Sequence, residues 1–120
     1  MNAIDLARQA YAPVRPALKT ERAVEAQLLT RITARLTQAG SDFPKAAAAV
    51  HENRRFWTTM AADVSAADNK LAPELRAQIF YLAEFSEQHG AQFLKGKVGL
   101  EPLIDINTAV IRGLNGVGAH

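Results

Sequence analysis

The sequence predicts an all-α protein, a small helical bundle of four main helices plus a short N-terminal helix. Helix-breaking residues are sparse, with 7 glycines and 5 prolines among 120 residues, and alanine is abundant. Apolar residues recur at spacings of three, four and seven along four long segments, which is typical of helices that each bury one face. No segment has a credible strand pattern.

Length and composition bound the organisation of the chain. One domain is expected from 120 residues, because each half alone would be too small to bury a core. Hydrophobic residues at 48% and charged residues at 22% indicate a folded protein rather than a disordered one. We therefore predict a single domain over 1–120, with 113–120 as a flexible tail.

Local signals give the approximate limits of the helices. The short first helix is expected over 4–12 and stops at the proline-containing stretch 13–16, which cannot continue a helix. The second is expected to begin with Thr20 as its N-cap and to end at Gly40. The other three are expected over about 42–67, 73–89 and 101–113.

Two features mark the ends of the later helices. Asp42 or Ser41 is the expected N-cap of the third helix, which uses Pro44 in its first turn. Gly90 is a candidate interruption at the end of the fourth. The stripes expected to form the core are, helix by helix, Val24, Leu28, Leu29, Ile32 and Leu36; Val50, Trp57, Met60, Ala61 and Val64; Leu75, Ile79, Leu82 and Phe93; and Leu103, Ile106, Val110, Ile111 and Leu114.

Several polar residues fall inside these apolar stripes. An unsatisfied buried polar group costs about 1–3 kcal/mol, so these side chains should be hydrogen-bonded. We expect a structural polar network of Glu25, Asn53, Arg54 and Asn107. In it Glu25 pairs with Arg54, and Asn53 or Asn107 bonds to backbone or to Glu25. Such a network can fix the register of a bundle. The alternative is an acid–base site of Glu25, Arg54 and His89. We favour the network, since bundle cores that hold active sites usually contain a metal or cofactor.

Catalytic and metal-binding constellations are not evident. The absence of cysteine excludes disulfides, thiolate zinc sites, iron–sulfur clusters and cysteine nucleophiles. The three histidines, His51, His89 and His120, lie far apart and lack metal-ligand spacing. Serine–histidine catalysis and phosphate loops have no candidates. We expect no enzymatic activity, no metal and no cofactor.

The N-terminus and the apolar runs bear on location. The runs are too short to span a membrane. The first residues lack the basic and apolar regions of a secretory signal. We expect a cytoplasmic protein that does not bind membranes.

An aromatic group is the strongest candidate for a working surface. Phe80 falls opposite the buried stripe of the fourth helix, with Tyr81 and Phe85 toward its flank. A helix that is apolar on more than one side is buried on both or has a face for a partner. Tyr11 of the first helix and Arg55, which points to solvent, are further candidates, although a solvated charge is the favoured explanation of Arg55.

Nucleic acid is a weaker candidate partner. The formal net charge is only +2, from 14 Lys plus Arg against 12 Asp plus Glu. Arg31 and Arg35 share a helical face, but Arg22 points nearly opposite to them. A basic stripe interleaved with aromatic residues is not evident.

Four blocks of sequence, in this order and spacing, carry a family resemblance. They are Thr20-Glu21-Arg22 with Glu25, Leu28-Leu29 and Ile32-Thr33; Asn53-Arg54-Arg55-Phe56-Trp57; Leu71-Ala72-Pro73-Glu74-Leu75-Arg76-Ala77; and Leu103-Ile104-Asp105-Ile106-Asn107. On these blocks the sequence resembles the FlaF family of flagellar biosynthesis regulators from alphaproteobacteria. Phe56 departs from the leucine expected there, and Ala72 adds a residue to a Leu-Pro pattern.

The resemblance implies a role in making flagellin. FlaF proteins promote flagellin synthesis, act as cytoplasmic chaperones for flagellin export and work opposite FlbT, which restrains flagellin messenger. No catalytic residues are implied. The resulting hypothesis is that an amphipathic helix of flagellin enters a groove formed by Phe80, Tyr81, Phe85 and Tyr11, with Arg55 at its rim. The alternative is an RNA-binding regulator of flagellin messenger, with Arg22, Arg31, Arg35 and Arg55 on phosphates. Oligomeric state is left open.

Overall fold

A computed structural model of the chain describes residues 16–114, with side-chain surroundings over 24–113. This part contains four helices and no strand: α1 (Pro16–Ala39), α2 (Phe43–Ser65), α3 (Pro73–Leu94) and α4 (Glu101–Leu114). The all-α prediction with four main helices is therefore confirmed. The short helix predicted over 4–12, with Tyr11, lies outside the described residues. So does 115–120 of the predicted tail, whereas 113 and 114 belong to α4.

The ends of α1 and the start of α2 follow from their local chemistry. Helix α1 begins at Pro16, four residues before the predicted Thr20, since proline is tolerated in a first helical turn. It ends where Gly40 takes a φ of +55°, which favours glycine. The Asp42 carboxylate accepts the Lys45 backbone N–H at 3.1 Å, and Pro44 lies in the first turn of α2 as predicted.

Gly90 does not interrupt α3, which continues to Leu94. The residue is buried where α3 crosses α2. A Cβ at this position would lie 3.1 Å from Cγ and Cδ of Arg54 and 3.2 Å from Cγ1 of Val50. Gly90 therefore permits a close approach of two helices, and this packing outweighs its poor helix propensity.

The core lies around α2. Helix α2 packs against α1 and α3, while α4 packs on α1 and on α3. Trp57 is buried at the centre with apolar side chains from all four helices, and a second cluster of Val64, Leu75 and Ile79 closes the end of the bundle where α2 leads into α3. None of the helices in the described part is long and apolar enough to cross a bilayer.

The predicted stripe of α1 is wrong at two positions. Val24 is 58% exposed and Leu28 is also exposed, whereas Leu29, Ile32 and Leu36 are buried as predicted. The buried face of α1 is narrow because α2 and α4 contact it along one stripe. Val24 and Leu28 lie one turn apart on the flank beside that stripe.

Candidate partner-binding surface

A buried polar chain joins α2 to α4. The Trp57 indole N–H donates to Oδ1 of Asn107 at 3.1 Å, and Nδ2 of Asn107 donates to Oδ1 of Asn53 at 2.7 Å. All three side chains are buried. The asparagines thus bond to each other and to Trp57, rather than to backbone or Glu25 as predicted. Because each bond needs the other helix in place, the chain fixes the register of α4 on α2.

Arg54 forms an ion pair with Glu87 of α3, not the pair with Glu25 that the sequence predicted. The reason is the crossing of α2 and α3 at Gly90, which places the Arg54 stem against α3. Glu25 is half-buried on α1.

His89 is directed to a different part of the bundle. Its Nε2 lies 2.8 Å from the Gly99 carbonyl oxygen, and its ring stacks on Phe85 at 5.5 Å between centroids. The Glu25, Arg54 and His89 groups that could have made an acid–base site are therefore not assembled around one another. Over 16–114, no group of three or more His, Cys, Asp or Glu side chains is placed to hold a metal ion.

The aromatic residues predicted as a receiving surface do not share one face. Phe80 is 39% exposed and Tyr81 is 66% exposed. As consecutive helical residues they point about 100° apart. Phe85 is half-buried and covers His89 instead of facing outward. Arg55 is exposed on the outer side of α2, away from the core.

Phe80 borders an open groove where α2 leads into α3. The groove has a volume of about 360 Å³. Its lining residues are Val64 and Ser65 at the end of α2 and Pro73, Arg76, Ala77 and Phe80 at the start of α3. The groove together with Tyr81 is called the Phe80 surface below.

Arg76 holds the two walls of this groove together. Its Nε donates to the Val64 carbonyl at 2.8 Å, and its Nη2 donates to the Ala66 carbonyl at 3.0 Å. These carbonyls belong to the last turn and C-cap of α2, where the helix leaves acceptors unsatisfied and carries partial negative charge. Sequence reasoning missed this role. The sequence did contain a signal for it. Arg76 is a cation in the first turn of α3, and α3 begins only a few residues after α2 ends.

Replacing Arg76 by methionine is expected to lower the free energy of unfolding by roughly 1.5–3 kcal/mol, the range for hydrogen bonds to a charged group. Methionine keeps much of the apolar stem but donates to neither carbonyl. Urea unfolding followed by circular dichroism measures the change. Arg76→Lys is the matched control and should recover only part of the loss, because one ammonium lacks the fork that reaches both acceptors. A fully stable Arg76→Met variant would exclude the capping role.

The arginines considered for RNA are only partly free to contact phosphate. Arg35 donates to Glu52 at 2.6 Å across the α1–α2 contact. Arg31 is exposed on α1 and Arg55 on α2. The side chain of Arg22 lies outside the part described. Arg35 is thus paired with Glu52, although half of its side chain is exposed.

Comparison with protein families matches residues 7–114 to the family described as flagellar protein FlaF. The chain belongs to the FlaF family. The match begins before α1 and ends at the last residue of α4, so α1–α4 lie within the FlaF region. The protein is therefore a flagellar protein. Comparisons with curated proteins and with solved structures give no match.

The most specific FlaF segments meet in the core rather than at the Phe80 surface. Trp57 and Asn53 belong to one segment and Asn107 to another, and their hydrogen bonds join the two. Phe56, which stands where leucine was expected, is buried and packs edge-on against Trp57 at 5.5 Å between centroids. These FlaF motifs build the scaffold, and the segment containing Arg76 shapes the groove.

Proposed function

We propose that this FlaF-family protein regulates flagellin synthesis and holds flagellin in the cytoplasm before export, acting by binding and without catalysis. The supporting observation is the Phe80 surface, in which the exposed Phe80 ring lines a groove between two helices and the exposed Tyr81 lies on the neighbouring face of α3. Flagellin's terminal segments are amphipathic helices. Before flagellin is assembled into the filament, the apolar face of such a helix is exposed, and a groove of this kind can cover it.

The energetics favour Phe80 as the main contact. Burying a large apolar side chain contributes about 1.5–3 kcal/mol relative to its exposed state. Phe80 is 39% exposed and lines the groove together with Ala77 and Pro73, so its ring still has apolar area to bury on binding. Arg76 fixes the groove through two carbonyls of α2, which reduces the ordering cost of binding.

The other candidate contacts have unequal support. Tyr81 adds an exposed ring next to Phe80. Phe85 is engaged by His89, and Arg55 lies on the outer side of α2, so a bound helix would reach them only by extending beyond the groove. The resemblance also suggests a functional link to FlbT. RNA binding remains the alternative, and the Arg35–Glu52 pair weighs against it.

Co-purification with flagellin from flagellated cells, with and without ribonuclease, tests this proposal. The wild-type protein should retain flagellin after ribonuclease treatment. The amount of flagellin retained by Phe80→Asp should be at least tenfold lower, because a carboxylate would be buried against an apolar helix. Phe43→Asp is the matched control, since Phe43 is a similarly exposed phenylalanine at the far end of the bundle.

Each outcome of this experiment has a definite meaning. Equal flagellin recovery by wild type and Phe80→Asp would rule out the Phe80 surface. Flagellin lost only after ribonuclease treatment, with binding that weakens steeply as salt rises, would favour the RNA alternative. Circular dichroism of both variants excludes simple unfolding as the cause.

A further inference from the structure

Two exposed apolar side chains form a flank of α1. Val24 is 58% exposed and Leu28 is 38% exposed, and the two lie one helical turn apart. Arg35 is on the same side of α1, seven residues after Leu28, and it bonds to Glu52 of α2 at 2.6 Å. Val24 and Leu28 therefore lie beside the contact of α1 with α2, and we call them the α1 flank.

The surface of α1 around this flank is polar. Gln27, Thr30 and Arg31 are exposed, and in the described part of α1 the two flank residues are the exposed large apolar side chains. Helix α1 already buries one apolar stripe against α2 and α4. The α1 flank is thus a second, narrow apolar surface that one further segment could cover.

The chain before α1 supplies such a segment. Fifteen residues precede Pro16, and among them Ile4, Ala7 and Tyr11 recur at spacings of three and four. These residues lie outside the described part, so a single apolar side is a prediction from the sequence. Pro13 interrupts the pattern three residues before α1 begins, and proline cannot continue a helix. A change of direction is therefore expected before α1.

The length of this tether decides which part of α1 the segment reaches. A helix from residue 12 back to Ile4 covers about 12 Å, which equals the distance along α1 from Pro16 to Val24. Residues 13–15 span roughly 10 Å when extended, enough to cross the distance of about 8–10 Å between the axes of two packed helices. A segment that runs back along α1 therefore brings its apolar residues level with the α1 flank.

We propose that the N-terminal segment of this chain packs on the α1 flank through Ile4, Ala7 and Tyr11. The Phe80 surface is less accessible to the segment, because its groove lies between α2 and α3, whereas α1 packs on α2 and α4. The segment would have to cross α2 to enter that groove. The proposal concerns one chain alone and does not depend on flagellin binding.

Alkylation of a single introduced cysteine tests this proposal, because the chain has no cysteine of its own. Val24→Cys and Leu28→Cys are made separately in the full-length protein. Thr30→Cys is the matched control, since Thr30 is exposed and lies on the opposite side of α1 from Leu28. The rate of reaction with iodoacetamide is followed by mass spectrometry.

The same rates are then measured with the segment released by Ile4→Asp together with Tyr11→Asp, which would place carboxylates against an apolar surface. We expect alkylation at Val24→Cys and at Leu28→Cys to become at least tenfold faster in this background. Alkylation at Thr30→Cys should stay the same. Each comparison is made at one thiol, so differences in reactivity between positions cancel.

A second pair of substitutions controls for the added charge. Asn2→Asp together with Gln9→Asp adds the same two carboxylates to the segment, on the side opposite its apolar residues. This pair should change none of the alkylation rates. Circular dichroism of every variant excludes unfolding as the cause of a faster reaction, and two separate flank positions keep the test valid if one cysteine variant is unstable.

Three outcomes would overturn the proposal. They are equal flank rates with and without the release substitutions, acceleration at Phe80→Cys in place of the flank, and flank rates that fall as protein concentration rises. The second would place the segment in the Phe80 groove, and the third would mean that a second copy covers the flank. Phe80→Asp should leave the flank rates unchanged, so failure of flagellin binding and failure of this proposal are distinguishable.

Discussion

Trp57→Ala is expected to lower the free energy of unfolding by about 3–5 kcal/mol, the range for truncating a large buried aromatic side chain. Trp57 is almost completely buried and contacts the ring of Phe56. Its removal leaves a cavity at the meeting point of the helices and an unpaired Oδ1 on Asn107. Small domains are stable by about 5–15 kcal/mol, so this loss is a large part of the total.

The measurement is urea unfolding followed by circular dichroism, because Trp57 is the only tryptophan and its fluorescence is lost in the variant. Trp57→Phe is the matched control. It keeps most of the apolar volume but removes the indole N–H, so a smaller loss is expected. Tyr81→Ala, at an exposed position, should change stability by no more than about 0.5 kcal/mol. An unchanged melting temperature for Trp57→Ala would mean that Trp57 is part of a binding surface and not of the core.

Asn107→Leu should lower the free energy of unfolding by roughly 2–4 kcal/mol, although leucine is similar in size and more apolar. The substitution leaves the Trp57 N–H and Oδ1 of Asn53 without their partner in the buried chain. Each unsatisfied buried group costs about 1–3 kcal/mol, and the added apolar burial offsets part of this.

A double-mutant cycle with Trp57→Phe isolates the hydrogen bond between the two residues. The double variant should be more stable than the sum of the single losses predicts, since both partners of one bond are then absent. Strict additivity of the two losses would mean that the Trp57–Asn107 bond does not couple α2 to α4. Unfolding curves of the four proteins under one condition suffice for this comparison.

The positions of the helices were predictable because their signals are local. The N-cap Asp42, the terminator Gly40 and Pro73 at the start of α3 act within one turn of the chain. The prediction of a helix interruption at Gly90 was wrong because this glycine acts in the packing of one helix on another. Glycine propensity indicates an interruption, while the crossing of α2 over α3 requires a residue without a Cβ.

The pairing of polar groups was less predictable than their burial. The helical pattern placed Asn53 and Asn107 inside apolar stripes and Arg54 on the margin of one. It did not say which helix faces which, and this determines that Arg54 pairs with Glu87 and that the asparagines bond to each other. The exposure of Val24 has the same origin, because the width of a buried stripe depends on how many neighbours contact it.

The candidate surface was predictable in part. The anomaly at Phe80 depends only on the geometry of its own helix, and the structure exposes this residue beside a groove. Phe85 also lies off the buried stripe, yet it is half-buried, and its ring stacks on His89. The stacking of Phe43 on Phe93 brings together two residues that are 50 apart in sequence, and no local pattern indicates such a contact.

Titration of purified wild-type protein with purified flagellin monomer, free of nucleic acid, tests the central claim most directly. We predict saturable binding by calorimetry that Phe80→Asp weakens at least tenfold and that Phe43→Asp leaves unchanged. The absence of binding by the wild type, or equal affinities for all three proteins, would contradict a flagellin chaperone that works through the Phe80 surface.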